Sequence, residues 1–200
     1  MEKILLIFDF DGTIADTRLL YFTEINKIAK LYGAKPLSKD EFDTAMAGDY
    51  WNVLKEKLPW WKLPIFLFHV KFIVGRKNPK AFVGFKDFIE NIDKNKYMIG
   101  ILTANSKQNV MRLIKQEGID TNLFSFIYAS RNKTKSFSKI KKIYKCFKYI
   151  AIGDEHRDLT AAIKNNIIPI GVSWGFHNKQ KLKDAGAKHI IDDFNDILKI

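Results

Sequence analysis

The chain has 200 residues, and 46% of them are hydrophobic, which is enough for the buried core of one domain with a smaller inserted unit. Its single cysteine, Cys146, excludes an intramolecular disulfide framework and is expected to be a small core residue. The net charge of +12 comes mostly from lysines spread along the chain, so we expect attraction of anionic substrates, with nucleic-acid binding as the lesser alternative.

Neither of the two apolar stretches of the sequence has the pattern of a membrane or export signal. The first apolar run is short, is broken by Asp9 and lacks a small-residue cleavage site, unlike a signal peptide. Residues 60–75 contain Lys62, His69 and Lys71, and so fall short of the roughly 20 apolar residues that a spanning helix needs. We therefore expect a soluble cytoplasmic protein that has no membrane partner.

The first predicted strand is followed at once by two carboxylates. Residues 4–8 form a continuous apolar run of β-favouring side chains, as expected for a strand buried on both faces of a parallel sheet. Asp9 and Asp11 follow it on the same side of the chain, and Gly12 comes next. Two carboxylates this close repel each other unless they are neutralised, and a hard cation such as Mg²⁺ is suited to that.

Residues 16–80 show helical spacing without a β pattern, with a break at Gly48-Asp49. We therefore expect an all-helical insertion directly after the first strand. Six aromatic residues are expected to pack a small core within it, with an aromatic wall over a substrate as the alternative. They are Trp51, Trp60, Trp61, Phe66, Phe68 and Phe72.

Beyond residue 80, apolar strand patterns alternate with helical ones, and a terminal helix is predicted from Phe194. This alternation predicts a parallel sheet with right-handed crossovers, and hence an α/β fold with a Rossmann-like three-layer core. The predicted strands in this part of the chain are 97–102, 124–129, 149–152, 167–172 and 189–191.

Three of the predicted strands end in polar side chains that could carry chemistry. They are Asp9 and Asp11 after the first strand, Thr103 and Asn105 after the second, and Asp154 and Asp158 after the fourth. Because right-handed parallel topology brings the carboxyl ends of the strands to one edge, we expect these residues to meet there.

Together these motifs resemble those of the haloacid dehalogenase superfamily of phosphohydrolases and phosphotransferases. The Asp-x-Asp-Gly-Thr sequence from Asp9 resembles the nucleophile motif of that superfamily. The Gly-Asp-Glu-x-Arg-Asp sequence from Gly153, with residues 172–176, is similar to the phosphoglycolate-phosphatase-like branch. The resemblance covers the whole chain except the sequence of the insertion, which sits where a C1-type cap sits in the superfamily.

The resemblance implies a division of the chain into two domains and a mechanism. Residues 1–15 and 81–200 would form the core domain, and residues 16–80 the helical cap. Asp9 would be the nucleophile that forms an aspartyl-phosphate, and Asp11 the general acid that later acts as general base. Thr103 would bind a phosphoryl oxygen.

The resemblance also implies a Mg²⁺ site. Asp9, Asp154 and the backbone carbonyl of Asp11 would be its ligands. Asp158 would either support the metal site from behind or ligate through water.

The remaining implied site residues are a lysine and three substrate contacts. Lys135 best fits the lysine of the third motif, with Lys133 as the alternative. Gly12, Thr13 and Asn105 are the expected substrate-binding residues. Glu155 and Arg157 are expected to pair near the site, Trp174 to pack near the sheet edge, and His156 is given no role.

We therefore expect a Mg²⁺-dependent phosphatase that hydrolyses a small phosphorylated metabolite, a phosphoglycolate-like phosphomonoester. A phosphomutase of the same superfamily is the enzymatic alternative. A non-catalytic protein whose basic face binds nucleic acid is the alternative from another class. We expect a monomer or a homodimer.

Overall fold

The computed structural model describes residues 3–46, 50–146 and 148–200. The chain forms two compact units, one made of Met1–Asp16 with Lys80–Ile200 and the other of Thr17–Pro79. The break predicted at Gly48-Asp49 lies outside the described residues. Within the described part of the chain, no helix combines the length and the apolarity needed to cross a bilayer.

The first unit is built on a parallel sheet of six strands in the spatial order β3-β2-β1-β4-β5-β6. The strands are β1 Ile4–Phe8, β2 Tyr97–Thr103, β3 Phe126–Ala129, β4 Lys148–Gly153, β5 Ile168–Val172 and β6 His189–Ile191. The chain therefore adds β2 and β3 on one side of β1 and β4 to β6 on the other. Such a reversal of strand order leaves a crevice at the carboxyl ends of the central strands, where open α/β sheets bind their ligands.

The central strand β1 is buried on both faces. Leu6 and Phe8 belong to one apolar cluster, whereas Leu5 and Ile7 belong to another. Because successive strand residues point to opposite faces, these two clusters are the cores on the two sides of the sheet. β1 is apolar throughout because it is buried on both faces, as predicted from the sequence. The predicted α/β fold class is confirmed.

The helices of this unit follow the strands, as parallel crossovers require. They are α5 Phe85–Asn91, α6 Lys107–Gln116, α7 Lys133–Ile143, α8 His156–Ile163 and α9 Lys179–Asp184. The terminal helix predicted from Phe194 is present as the 3₁₀ helix Phe194–Lys199. Asp193 caps it by accepting a hydrogen bond from the Asn195 amide at 2.8 Å.

All the regular secondary structure in the described residues of the second unit is helical. They are α1 Thr17–Leu31, α2 Lys39–Thr44, α3 Tyr50–Lys57 and α4 Leu63–Val74, with a 3₁₀ turn at Trp60–Lys62. Ser38 and Glu41 form a capping box at the start of α2, which explains why the chain turns into a helix there.

The predicted aromatic core of the second unit is wrong for five of its six members. Phe66 is fully buried with the aliphatic residues of α1 and α4. The other five aromatic residues are exposed, because they lie on the outer faces of their helices and turns. They are Trp51, Trp60, Trp61, Phe68 and Phe72.

Candidate active site

The site lies where β1, β2 and β4 end. These three strands are neighbours in the sheet, so the residues that follow them are brought together. The Asp9 amide donates to the carbonyl of Ile152 at 2.8 Å, which extends the pairing of β1 with β4 by one residue. Asp9, Thr103 and Asp154 are all buried at this edge.

Asp9 is paired with a buried lysine from the next layer. Lys133 is the first residue of α7, and its Nζ lies 2.8 Å from Asp9 Oδ1. The same ammonium contacts Asp158 Oδ1, and all three side chains are at least nine-tenths buried. Burial disfavours the ammonium, but the carboxylates of Asp158 and Asp9 outweigh it and raise the pKa of Lys133. The lysine therefore stays charged between the two acids.

The lysine named first by the sequence, Lys135, is not the one that reaches Asp9. It is exposed, and its amide donates to Asn132 Oδ1 at 3.0 Å, which caps α7. Two helical positions separate the lysines, so Lys135 points about 200° around the helix from Lys133. The structure places the alternative, Lys133, in the site.

Asp154 sits in a cradle formed by two glycines and two hydrogen-bond donors. The Thr13 hydroxyl donates to Oδ1 at 3.0 Å, and the Phe176 amide donates to Oδ2 at 2.9 Å. A Cβ added at Gly12 would lie 2.2 Å from Oδ2, and one at Gly175 would lie 2.1 Å from Asp154 Cβ. Only glycine leaves room for the carboxylate at these two positions, and Gly12 also has a φ of +75°.

Three carboxylates converge here. Asp9, Asp154 and Asp158 each offer an oxygen, and these oxygens all lie within 4.8 Å of one another. Burial, and then the neighbouring carboxylates of Asp9 and Asp158, raise the pKa of Asp154 well above its usual range. Burial likewise raises the pKa of Asp9 to about 7, although Lys133 opposes the shift. Asp9 and Asp158 share the Lys133 ammonium, whereas Asp154 is held by Thr13 and Phe176.

This donor set fits a hard divalent cation. When ionised, these three buried carboxylates carry more negative charge than the Lys133 ammonium balances, and a divalent ion would offset the excess. Carboxylate oxygens are the ligands that Mg²⁺ and similar ions prefer. Asp9 and Asp154, which the resemblance implied as carboxylate ligands, lie in this cluster together with Asp158, which it placed behind the metal or at a bridging water.

The Asp11 carboxylate faces a different group. The Asn105 side-chain amide donates to both of its oxygens, at 3.2 Å and 3.0 Å. Asn105 is fixed in turn, because its Oδ1 accepts from the Asn109 side chain and the Ser106 amide, each at 2.8 Å. Thr103 Oγ1 accepts a hydrogen bond from the backbone amide of Asn105 at 2.9 Å. The residues that follow β2 thus hold the second carboxylate of the first motif.

Two of the three predicted substrate-binding residues make hydrogen bonds to acidic residues of the site. Thr13 is fully buried and bonds Asp154, and Asn105 bonds Asp11. Gly12 supplies space beside Asp154. These three residues therefore shape the site around its acids.

The loop after β5 contributes more to the site than the sequence indicated. Trp174 Nε1 donates to the carbonyl of Thr13 at 3.1 Å, which joins this loop to the first motif. His177 Nδ1 accepts from the His156 amide at 3.1 Å, and the two imidazoles stack. Burial, and then His156, lower the pKa of His177. The 172–176 motif pointed to this loop, but no pattern assigned partners to its residues.

The family of the chain follows from its sequence along most of its length. Residues 6–172 match the family model described as haloacid dehalogenase-like hydrolase. The chain belongs to this family. The resemblance inferred from the motifs and the predicted enzyme class, a hydrolase, are confirmed.

Two named proteins are similar to this chain over nearly its whole length. A phosphoglycolate phosphatase of Synechococcus elongatus is 28% identical over 97% of this chain and 95% of the relative. Pyrophosphatase PpaX of Oceanobacillus iheyensis is 22% identical over 98% of this chain and 95% of the relative.

The fold matches solved structures of the same family. The haloacid dehalogenase-like hydrolase SP0104 of Streptococcus pneumoniae superimposes with a TM-score of 0.79 at 18% identity. That alignment covers 98% of this chain and 97% of the other.

Proposed function

We propose that this hydrolase is a Mg²⁺-dependent phosphatase that cleaves a small phosphomonoester through an aspartyl-phosphate on Asp9. The observation that carries the proposal is the contact of Asp9 with Lys133 inside the buried acidic cluster with Asp154 and Asp158. A structural ion pair would need one acid for one lysine. Three acids around one lysine instead provide a nucleophile, a cation to neutralise phosphate charge and ligands for a metal.

Asp9 is the proposed nucleophile. A carboxylate oxygen would attack phosphorus, the bond from phosphorus to the ester oxygen would break, and the phosphoryl group would pass to Asp9. Water would then attack the same phosphorus, releasing inorganic phosphate and restoring the carboxylate. This route replaces one difficult displacement by two easier ones.

Asp11 is the proposed general acid and base. It would donate a proton to the departing ester oxygen and later accept one from the attacking water. Its two hydrogen bonds from Asn105 support this role, because they hold the carboxyl group in one orientation.

Lys133 is the proposed cation that neutralises the transferred phosphoryl group. Its buried ammonium contacts the nucleophile, so it lies within reach of any phosphorus bonded to Asp9. Fixed positive groups at the phosphoryl oxygens stabilise the charge of the transition state. We assign this role to Lys133 and not to Lys135. Thr103 is the proposed phosphoryl-oxygen contact.

Asp9 and Asp154 are proposed as carboxylate ligands of Mg²⁺, with the backbone carbonyl of Asp11, and Asp158 as a supporting acid that also holds Lys133. A bound Mg²⁺ would supply positive charge to the phosphoryl oxygens. Thr13, Phe176 and the glycines beside Asp154 would keep that carboxylate oriented.

The substrate class is proposed from the relatives and from charge. The Synechococcus elongatus relative is named for phosphoglycolate, a small phosphomonoester. The net charge of +12 favours an anionic substrate. We propose the Thr17–Pro79 unit as the C1-type cap that selects among such compounds. A phosphomutase would use the same acids but would return the phosphoryl group to a sugar.

Release of inorganic phosphate tests this proposal. The purified protein would be assayed with phosphoglycolate and an aryl phosphate, with Mg²⁺ and then with EDTA. We expect turnover that is lost on chelation and in Asp9→Asn, and retained in Asp184→Asn, which alters an exposed acid on α9. Full activity of Asp9→Asn would refute the proposal. Isomerised sugar phosphate without net phosphate release would favour the mutase, and polyanion binding without turnover would favour the nucleic-acid alternative.

A further inference from the structure

Helix α4 is apolar on two opposite faces. One face packs into the core of the second unit through Leu63, Phe66, Val70 and Val74, all buried. The other face carries large apolar side chains that are open to solvent. A helix face made of large apolar side chains is normally covered, so this exposed face is a candidate contact surface.

The open face is a narrow and regular stripe. It consists of Trp61, in the 3₁₀ turn that leads into α4, and of Ile65, Phe68 and Phe72 on the helix. Their exposed fractions are 58%, 57%, 64% and 45%. At 100° per residue the three positions on the helix, 65, 68 and 72, fall within an arc of about 60°. Phe68 and Phe72 stack with their ring centroids 6.1 Å apart.

We propose that this stripe, residues 61, 65, 68 and 72, is the seam of a homodimer in which α4 packs antiparallel against the α4 of a second copy. This proposal does not depend on the proposed function. The intervals along the stripe are four, three and four residues, which is the a/d spacing of a helix–helix seam.

The stripe is complementary to itself. Its intervals are the same in either direction along the chain, so a two-fold axis across its midpoint maps it onto itself. Trp61 then lies opposite the partner's Phe72, and Ile65 lies opposite the partner's Phe68. Each pair places an aromatic ring against a second apolar side chain.

The area available is sufficient for a small interface. A large aromatic side chain offers about 150–250 Å², so the four partly exposed side chains supply roughly 400–500 Å² per copy. Pairing two copies would bury close to 1,000 Å² in total, about the size at which specific interfaces begin. We expect an interface of this small size to form a reversible dimer.

The charges along the stripe make a prediction about salt. The sequence contains no acidic residue between Lys57 and Lys86. Residues that flank an antiparallel seam meet the partner's residues on the same side of that seam. Lys62 therefore lies beside the partner's His69, and Lys71 lies beside the partner's Pro64, so lysines do not pair across the seam. Arg76, whose guanidinium lies 3.7 Å from the Phe72 ring centroid, adds positive charge at each end. Because salt screens the remaining repulsion, we expect the dimer to tighten as salt increases.

Sedimentation velocity over a concentration series up to about 200 µM tests the proposal. We expect a monomer–dimer equilibrium in the full chain, weakened at least tenfold by Phe68→Glu. Leu31→Glu is the matched control, because Leu31 is an exposed apolar residue of the same unit, at the end of α1 and outside the stripe. It should leave the equilibrium unchanged. Far-ultraviolet circular dichroism of each variant checks that the fold is intact.

Cross-linking tests the register. In a Cys146→Ser background, Ile65→Cys and Phe68→Cys proteins would be mixed and oxidised. We expect disulfides between the two different proteins, because these positions face each other across the antiparallel seam. Disulfides only between identical proteins would refute that register.

Other outcomes would overturn the proposal. A strictly monomeric protein at the highest concentration would do so, as would a dimer that survives Phe68→Glu. A monomer that floats with anionic lipid vesicles and loses this binding in Phe68→Glu would assign the stripe to a membrane surface. That binding would weaken with salt, opposite to the dimer.

Discussion

Lys133 Nζ lies 2.8 Å from Asp9 Oδ1 in a buried site, and the same ammonium contacts Asp158. One cation thereby joins the end of β1 and the first turn of α8 to the first turn of α7. The proposed nucleophile is held in place by this contact, and its negative charge is partly neutralised. The catalytic consequences of losing the contact follow directly.

Replacement of Lys133 by alanine should lower kcat by about 10²–10³, the usual cost of removing one group that stabilises transition-state charge. The exposed Lys135 provides a matched control on the same helix, and Lys135→Ala should change kcat less than about twofold. Steady-state kinetics with the same phosphomonoester measures both. A larger loss in Lys135→Ala than in Lys133→Ala would contradict the assignment.

Stability without metal should fall as pH rises from about 5 to 8. Burial raises the pKa of Asp9 to about 7 in the folded chain, so the folded protein retains a proton that the unfolded chain releases near pH 4. The folded state therefore loses stability as pH rises toward 7. Thermal unfolding in EDTA at both pH values measures this, and Asp9→Asn should reduce the difference.

Addition of Mg²⁺ should raise the midpoint of thermal unfolding, and more at pH 8 than at pH 5. Metal and protons compete for the same carboxylates, so binding is stronger where Asp9 and Asp154 ionise. An equal effect of Mg²⁺ at both pH values, or no effect in the wild type, would place the metal elsewhere.

Asn105→Ala should lower kcat about tenfold with little change in KM, because Asp11 loses the two hydrogen bonds that orient it. The defect should be larger for an alkyl phosphate than for an aryl phosphate, whose better leaving group needs less protonation. Asn109→Ala, one hydrogen bond further from Asp11, should have a smaller effect. Equal defects for both leaving groups would argue against a role through the general acid.

Gly175→Ala should weaken metal binding, because the new Cβ would lie 2.1 Å from Asp154 Cβ and displace that carboxylate. Gly33→Ala is a useful comparison. Gly33 has a φ of +74° but no atoms within 4 Å of the added Cβ. It should cost stability through backbone strain and leave Mg²⁺ affinity unchanged, as measured by titration calorimetry.

The elements that carry the site could be predicted because their signals are local. The apolar run of β1 and the acids after it follow from the sequence alone, and so does the arrival of Asp154 at the same sheet edge. Parallel topology needs only the order of strands and helices to bring those ends together.

The lysine could not be assigned in this way. Which of Lys133 and Lys135 points into the site depends on where α7 begins. The first residue of a helix is the feature that a sequence pattern predicts least accurately. In the structure α7 starts at Lys133, directly after the capping residue Asn132, and this start determines which lysine points inward.

The hydrogen bonds of the loop after β5 and the exposure of the outer face of α4 could not be predicted from the sequence either. Trp174 and Phe176 act through hydrogen bonds to residues about 160 and 22 positions away, which no local pattern encodes. Phe66 and Phe68 belong to the same apolar stretch, and only the packing of α4 decides that the first is buried and the second exposed.

Trapping the covalent intermediate tests the central claim most directly. The protein would be mixed with phosphomonoester and Mg²⁺, quenched during turnover and treated with borohydride, which reduces acyl phosphates, before mapping by mass spectrometry. We predict reduction of the residue at position 9, absent in Asp9→Asn and without substrate. Continued phosphate release with no modification at Asp9, or with modification at another acid, would contradict the account.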